Sequence, residues 1–281
     1  MSRLDVKKTH KLYIGGEFPR SESGRTFPAV DSDGNVIARM SQGSRKDLRD
    51  AVRAARNAQE KWATRTGYNR GQILYRIAEM VEDRSEAFQD DLRAVGASKR
   101  SAAREVEASI DRLVWYAGWS DKFVQVYGNL NPVAGPFFNI SAPEPTGVVG
   151  VVAPGEPALL GLVSRLAPVL VPGNTAVVVA SDRVPVVAVT FAEALATADV
   201  PPGVVNILTG HAVELTPWLA SHMDVNAIDL TGAPTEILAE AETAAADNVK
   251  RVVRSTTVDA QSPLLLAAFT ETKTVWHPKG L

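Results

Sequence analysis

The chain holds no cysteine, so it has no thiolate, and a thiolate is a far better nucleophile near neutral pH than a hydroxyl. The other groups that could do chemistry are scattered. His10, His211, His222 and His277 have no metal-ligand spacing between them and read as loop or surface residues. Ser164 and Ser255 have no visible histidine–aspartate partnership, and serine alone is inert. Glu156 stands between Gly155 and Pro157. A burial-shifted glutamate in a cleft can act as acid or base, and the plainer reading is a position at a cleft mouth. Gly147, Gly150, Gly210 and Gly232 do not spell a dinucleotide fingerprint and suit turns as well as phosphate contacts. Trp115, Trp119, Trp218 and Trp276 read as core or interface anchors.

The elements that must position these groups come in two textures. Residues 11–40 read as two short strands around turns, with Gly15-Gly16 in KLYIGGEF as a hairpin signal. Ser44, three residues before Asp47, predicts a capping box, and Leu48, Ala51, Ala55 and Trp62 follow at near-helical spacing. Helices are expected over 70–92 and 102–119, with apolar stripes that read as core packing. Past Lys122, residues 123–127, 135–142 and 147–152 read as strands. Strand and helix then alternate: VVGVVA, a helix over 159–170, TAVVVA, a helix over 185–198, VVNILTG and a strand over 225–230. A last helix is expected over 234–249, a polar linker over 254–263, and β-formers again in FTETKTVWH. Such alternation with β-branched runs predicts an α/β fold, a parallel sheet wound with helices on both faces.

With 281 residues, 45% of them hydrophobic, the chain can bury a sizeable core. Its 30 Lys+Arg against 32 Asp+Glu leave a net charge of -2, which argues against a nucleic-acid partner and against a polybasic membrane patch. The start, MSRLDVKKTHKLYIGGEF, shows no leader pattern. The most apolar stretch, 146–180, is broken by Glu156, Arg165 and Asn174 and does not read as a membrane span. The cysteine count fits a reducing compartment, and a cytoplasmic protein is expected.

Particular words of sequence carry a family resemblance. KLYIGGEF, YAGWSDK (116–122), EPTGVVGVVAP (144–154), LAPVLVPGNTAVVV, PPGVVNILTG and DVNAIDLTG follow one another in the order found in the aldehyde dehydrogenase superfamily. The resemblance implies a Rossmann-like doubly wound nucleotide-binding domain over 1–121 and 147–262. It also implies a protruding oligomerisation hairpin over 122–146, completed by a C-terminal strand within 264–281. FTETKTVWHP resembles the family's extreme C-terminus, while the intervening catalytic domain, with its cysteine, is absent. A simple truncation would not keep that tail, so the pattern resembles an internal excision.

The departures from the family's pattern fall on the cleft. Its oxyanion-holding Asn maps to Glu156, just after Pro154, where a carboxylate would repel a negative oxygen. Its ribose-contacting Lys maps to Val179. Thr231 and Gly232 remain of a Thr-Gly-Ser word, but Ser becomes Ala233, Pro234 follows, and the glycine that lets the helix start approach a diphosphate is missing. Its general-base Glu falls near Ser255. The resemblance therefore implies no catalytic residue and no metal, with NAD or NADP weakened as cofactors. Three functions are compatible with it. The first is an inactive subunit that associates with a full-length aldehyde dehydrogenase. The second is an NAD(P)-binding oxidoreductase component acting on aldehydes within a composite complex. The third is a homo-oligomeric scaffold or small-molecule-binding module.

Overall fold

The computed structural model describes residues 6–280. Residues 1–5, on which part of the leader-free start was read, and Leu281, the end of the expected tail segment, lie outside the described residues.

β1 (Thr9–His10), β2 (Thr26–Val30) and β3 (Val36–Ser41) form a small sheet in the order β1-β3-β2. Gly15 and Gly16, at φ +62 and +83, turn the chain so that Ile14 bridges Glu17. α1 (Arg45–Ala63) opens on the expected capping box. Ser44 Oγ accepts from the Asp47 amide at 3.2 Å, and Asp47 Oδ2 accepts from the Ser44 amide at 2.8 Å.

The single helix expected over 70–92 is two, α2 (Gly67–Asp83) and α3 (Ser85–Ala94), separated at Arg84 with φ −104 and ψ 17. Phe88 and Leu92 keep the helical phase of Leu74 and Val81, and all four are buried. Periodicity therefore runs unbroken across the break between the two helices. α4 (Lys99–Ala117) follows, then α5 (Phe123–Tyr127), which was expected as a strand. Its β-forming composition is overridden locally. The amides of Phe123 and Val126 bond back to Trp119 and Lys122, and the Phe123 and Tyr127 rings, four residues apart, lie 4.9 Å apart.

β4 (Asn129–Asn131) and β5 (Phe137–Pro145) lead into β6 (Val148–Val152), α6 (Ala158–Leu170), β7 (Thr175–Val179), α7 (Pro185–Leu195), β8 (Val205–Leu208) and α8 (Ala212–Ser221). β9 (Ala227–Asp229), a 3-10 turn (Thr235–Ile237), α9 (Leu238–Ala246), β10 (Arg251–Val253), α10 (Leu264–Ala267) and β11 (Thr270–Pro278) complete the described chain. Five strands pair in parallel in the order β10-β9-β6-β7-β8. Four of these were expected. The fifth, β10, is three residues long and half-buried, too short for a periodic signal.

Period-two alternation divides the sheet's side chains between two cores. Val149, Val151, Val178 and Ile207 join the layer built with α2, α4, α6 and α7. Val148, Val152, Val177, Val179 and Leu208 join the layer built with α1, α8 and α9. A third sheet, β11-β5-β4, is antiparallel, and β11 pairs with β5 from Thr270↔Pro145 to Pro278↔Phe137. Among the described residues no helix is long and apolar enough to cross a membrane.

Asn174, fully buried, ties these parts together. Its Oδ1 accepts from the Gly147 amide at 2.8 Å, and its Nδ2 donates to the carbonyls of Val169 at 3.0 Å and Phe269 at 2.9 Å. Asn174→Ala leaves three backbone groups without this partner. We expect it to lower the unfolding free energy by about 2–3 kcal/mol in urea titrations, and to speed amide exchange along β11. Unchanged exchange in 270–278 would refute the tie.

Candidate functional site

The chain runs β6–β7–β8 toward one edge of the parallel sheet and then crosses to lay β9 and β10 on the other side of β6. The carboxyl ends of β6 and β9 therefore flank the topological switch point, where open α/β sheets bind ligands. Pro154, Val179, Thr231, Gly232 and Ala233 gather there. The Ala153 amide donates to Val179 O at 2.9 Å, and the Gly232 amide to Val152 O at 3.1 Å. A Cβ on Gly232 would lie 2.5 Å from Pro154 N, an approach only glycine permits. Glu156 is solvent-exposed just beyond. Val179 is fully buried, and its side chain belongs to the core under α8 rather than to the crevice.

Below the crevice lies a polar cluster that sequence reading did not find. Arg165 of α6 and Asp229 of β9 are both fully buried, with Arg165 Nη1 3.6 Å from Asp229 Oδ2. Thr231 donates its amide to Asp229 Oδ1 at 2.9 Å, and Arg165 Nη1 lies 3.5 Å from Thr231 Oγ1. Burial pushes the Asp229 carboxyl above the usual range, and the Arg165 guanidinium and the Thr231 bonds oppose that. Arg112 of α4 donates to Ser164 Oγ and to the carbonyls of Asp259 and Ala260, and its Nε donates to Gln261 Oε1 at 3.2 Å. The segment over 254–263, expected as a linker, is thus fastened over the buried pair. The Ser255 amide donates to Thr231 Oγ1 at 3.0 Å, and Ser255 Oγ donates to Thr257 O at 2.7 Å. Both candidate serines are engaged in structural hydrogen bonds, and among the described residues neither bonds to a histidine or a carboxylate.

The start of α6 is also occupied. Glu105, from α4, accepts from the amides of Leu159 at 2.7 Å and Leu160 at 3.3 Å. These donors would otherwise suit an external anion. Glu156 is close enough to act on Glu105 as a like charge, so two carboxylates stand at the start of α6 and oppose an external anion there.

A nicotinamide dinucleotide fits this crevice poorly. Val179 offers no donor. The helix start after β9 has no side-chain cap and carries Glu236 and Glu240 in its first turns, so acids already offset its positive end. Ile237 is buried there. Among the described residues no group of three or more His, Cys, Asp or Glu could hold a metal. Opposite charges inside otherwise apolar elements, Arg165 in ALLGLVSRLAPVL and Asp229 in AID, were the legible signal of the buried pair. Arg112 and Glu105 had none, because both act on segments far along the chain.

Burial, aided by Glu156, raises the Glu105 carboxyl above its ordinary value, against its amide hydrogen bonds. A raised folded-state value means that the stabilising contribution is complete below the unfolded value and is lost as pH rises through the folded one. Glu105→Gln, which keeps an acceptor without the charge, should match the wild type near pH 4 and exceed it in stability at pH 8, read by denaturant titration. A wild type equally stable at pH 8 would contradict this.

Comparison with known proteins agrees with this architecture. The chain matches the aldehyde dehydrogenase family over residues 19–269. Aldehyde dehydrogenase, cytosolic 1, from Elephantulus edwardii is 32% identical over 275 residues, covering 95% of this chain and 54% of that protein. The crystal structure of HpcC from Thermus thermophilus superimposes with a TM-score of 0.83 at 29% identity, over 88% of this chain and 48% of that one. The NAD+ complex of an aldehyde dehydrogenase from Bacillus cereus gives 0.81 at 26% identity, over 87% and 50%. The chain spans about half the length of the curated relatives it matches. By the extent of that match, and by the sheet order and motifs that underlie it, the chain belongs to the aldehyde dehydrogenase family.

Proposed function

We propose that this chain is a non-catalytic subunit that docks, through its three-stranded sheet, onto a full-length aldehyde dehydrogenase. The observation that carries the reading is β11. In a chain without cysteine, this strand is paired along nine residues with β5. Among the described residues it is the outermost strand of its sheet, with no strand paired to its outer edge, and such an edge is a template for pairing with another chain.

The sheet also bears an apolar row. Leu130, Ile140 and Val275 lie directly across from one another on β4, β5 and β11. They are exposed by 67%, 48% and 49%, which is too much apolar surface for a finished exterior. Phe138, also exposed, extends the same face toward Val124 of α5, around a groove of about 640 Å³. Full-length family members own a catalytic domain, and this chain's own crevice has neither a nucleophile nor a hospitable cofactor site. A partner with such a domain supplies what this chain lacks. The setting proposed is the cytoplasm, in line with the cytosolic relative and the absence of cysteine.

Co-expression with full-length aldehyde dehydrogenases of the same genome, followed by affinity capture and mass measurement, tests the proposal. The expected result is a defined complex that is lost in the Ile140→Glu/Val275→Glu double variant. A well-behaved monomer that captures none of them, or a closed homo-oligomer indifferent to them, would overturn it. Aldehyde turnover by the chain alone, freed of contaminating dehydrogenases, would do the same.

A further inference from the structure

A cavity of about 830 Å³ lies between the segment before β2, the start of α1 and the end of α8. None of its lining residues belongs to the switch-point crevice. Four cations line it, Arg25, Arg45, Lys46 and Arg49, against one carboxylate, Glu22.

The charge there is unusual for its place. Arg45 and Lys46 are the first two residues of a 19-residue helix. They stand at its positive end, where cations are unfavourable and acids are preferred. The one acid of that turn, Asp47, is buried beneath. Its carboxylate is used by Ser21 Oγ at 2.7 Å, the Ser44 amide at 2.8 Å and the Glu22 amide at 3.2 Å. Glu22 in turn accepts from Ser44 Oγ at 3.0 Å and reaches Lys46 only at 4.0 Å. Arg49 has Asp50 at 3.5 Å. Among the described residues, Arg25 and Arg45 form no ion pair. Like charges gathered at a helix start, with the local acids already committed, make a field suited to a multiply charged anion.

The remaining wall narrows the class of ligand. Trp218, Leu48 and Met223 supply apolar surface beside the cations, the indole being a flat one. His222 lines the same cavity. Burial lowers its pKa, and its Nδ1 accepts from the Asp224 amide at 3.2 Å, which leaves Nε2–H as a donor. A cavity of this size that combines apolar wall with a few converging polar groups is the usual form of a small-molecule site.

We propose that this cavity binds a small organic phosphate, its anionic group held by Arg25, Arg45 and Arg49 and its planar portion laid against Trp218. The inference stands apart from the docking proposal and from any dinucleotide at the switch point.

Titration calorimetry of the full chain with AMP tests it, with adenosine and inorganic phosphate as the two half-probes. The expected result is one AMP per chain with a dissociation constant below about 1 mM. Each half-probe should bind roughly tenfold more weakly or worse, and added salt should weaken AMP. The Arg45→Ala/Arg49→Ala variant should lose about tenfold or more in affinity, and Trp218→Leu should lose the preference for AMP over inorganic phosphate. Because both arginines are exposed, Arg45 opposes the helix dipole and the Arg49–Asp50 pair is a surface one, the double variant should melt close to the wild type without ligand, so that lost binding is not lost fold. No heat with AMP up to about 10 mM overturns the proposal. So does AMP binding that the double variant leaves unchanged.

Discussion

A parallel sheet must be covered on both faces, and nearly everything else in this molecule follows from that requirement. β6, β7 and β8 have no exposed residue along their whole lengths. Their alternate side chains feed two separate cores, and each fully buried Val, Leu or Ile contributes on the order of 1.5–3 kcal/mol. Even Gly150 obeys the constraint: a Cβ there would stand 2.8 Å from the Leu219 side chain, so α8 packs onto β6 only across a bare backbone. With both faces committed, chemistry could be placed only at the carboxyl ends of the strands. There Val179 continues the buried alternation to the last residue, and the position is given to packing instead of to a ligand.

The ion pair beneath the switch point is not a device for stability. Removing two charges from water costs several kcal/mol per ion, and only good geometry with full hydrogen bonding returns it. Arg165 and Asp229 meet at 3.6 Å, and among the described residues Arg165 Nε and Nη2 have no hydrogen-bond partner. What the pair does is positional. It holds Thr231, whose hydroxyl receives the Ser255 amide, and Arg112 anchors the following residues through their carbonyls. The stretch that in sequence reads as slack is therefore pinned across the crevice. Glu105 plays a similar part at α6, filling with an internal carboxylate the amides that an external anion would want. The crevice at the switch point is thus held by the protein's own groups.

Much of the fold was legible in the residues themselves. The capping box at Ser44 and Asp47, the buried strands VVGVVA and TAVVVA, and the β character of FTETKTVWH each rest on local chemistry. The errors lie where local chemistry was outvoted. Phe123–Tyr127 has the composition of a strand, but the chain leaving α4 is still bonding backward, and an i, i+4 aromatic contact favours one more helical turn. The break at Arg84 is invisible because the apolar phase does not change across it. β10 is an edge strand of three residues whose place is set by pairing with β9, not by its own pattern. At the site, the gathering of Pro154, Thr231, Gly232 and Ala233 follows from strand order. The grip of Arg112 on residues nearly 150 positions away could not be read from either segment alone.

The β4–β5–β11 sheet shows how an exposed surface can still have a fixed shape. On one face Asn131 Nδ2 donates to Asn139 Oδ1 at 2.6 Å and to Ser141 Oγ at 2.8 Å, and Ser141 shares a 2.8 Å bond with Thr274. Asn139 and Ser141 are buried, so this ladder is closed within the sheet. A slip of one residue would turn Asn139 and Ser141 to the opposite face and open the ladder, so the polar network pins the register of all three strands. The opposite face, with Leu130, Ile140 and Val275 in line, inherits that register without needing contacts of its own. The apolar row is thereby held in a fixed arrangement without contacts of its own, and in the docking proposed above such preorganisation lowers the ordering cost of association.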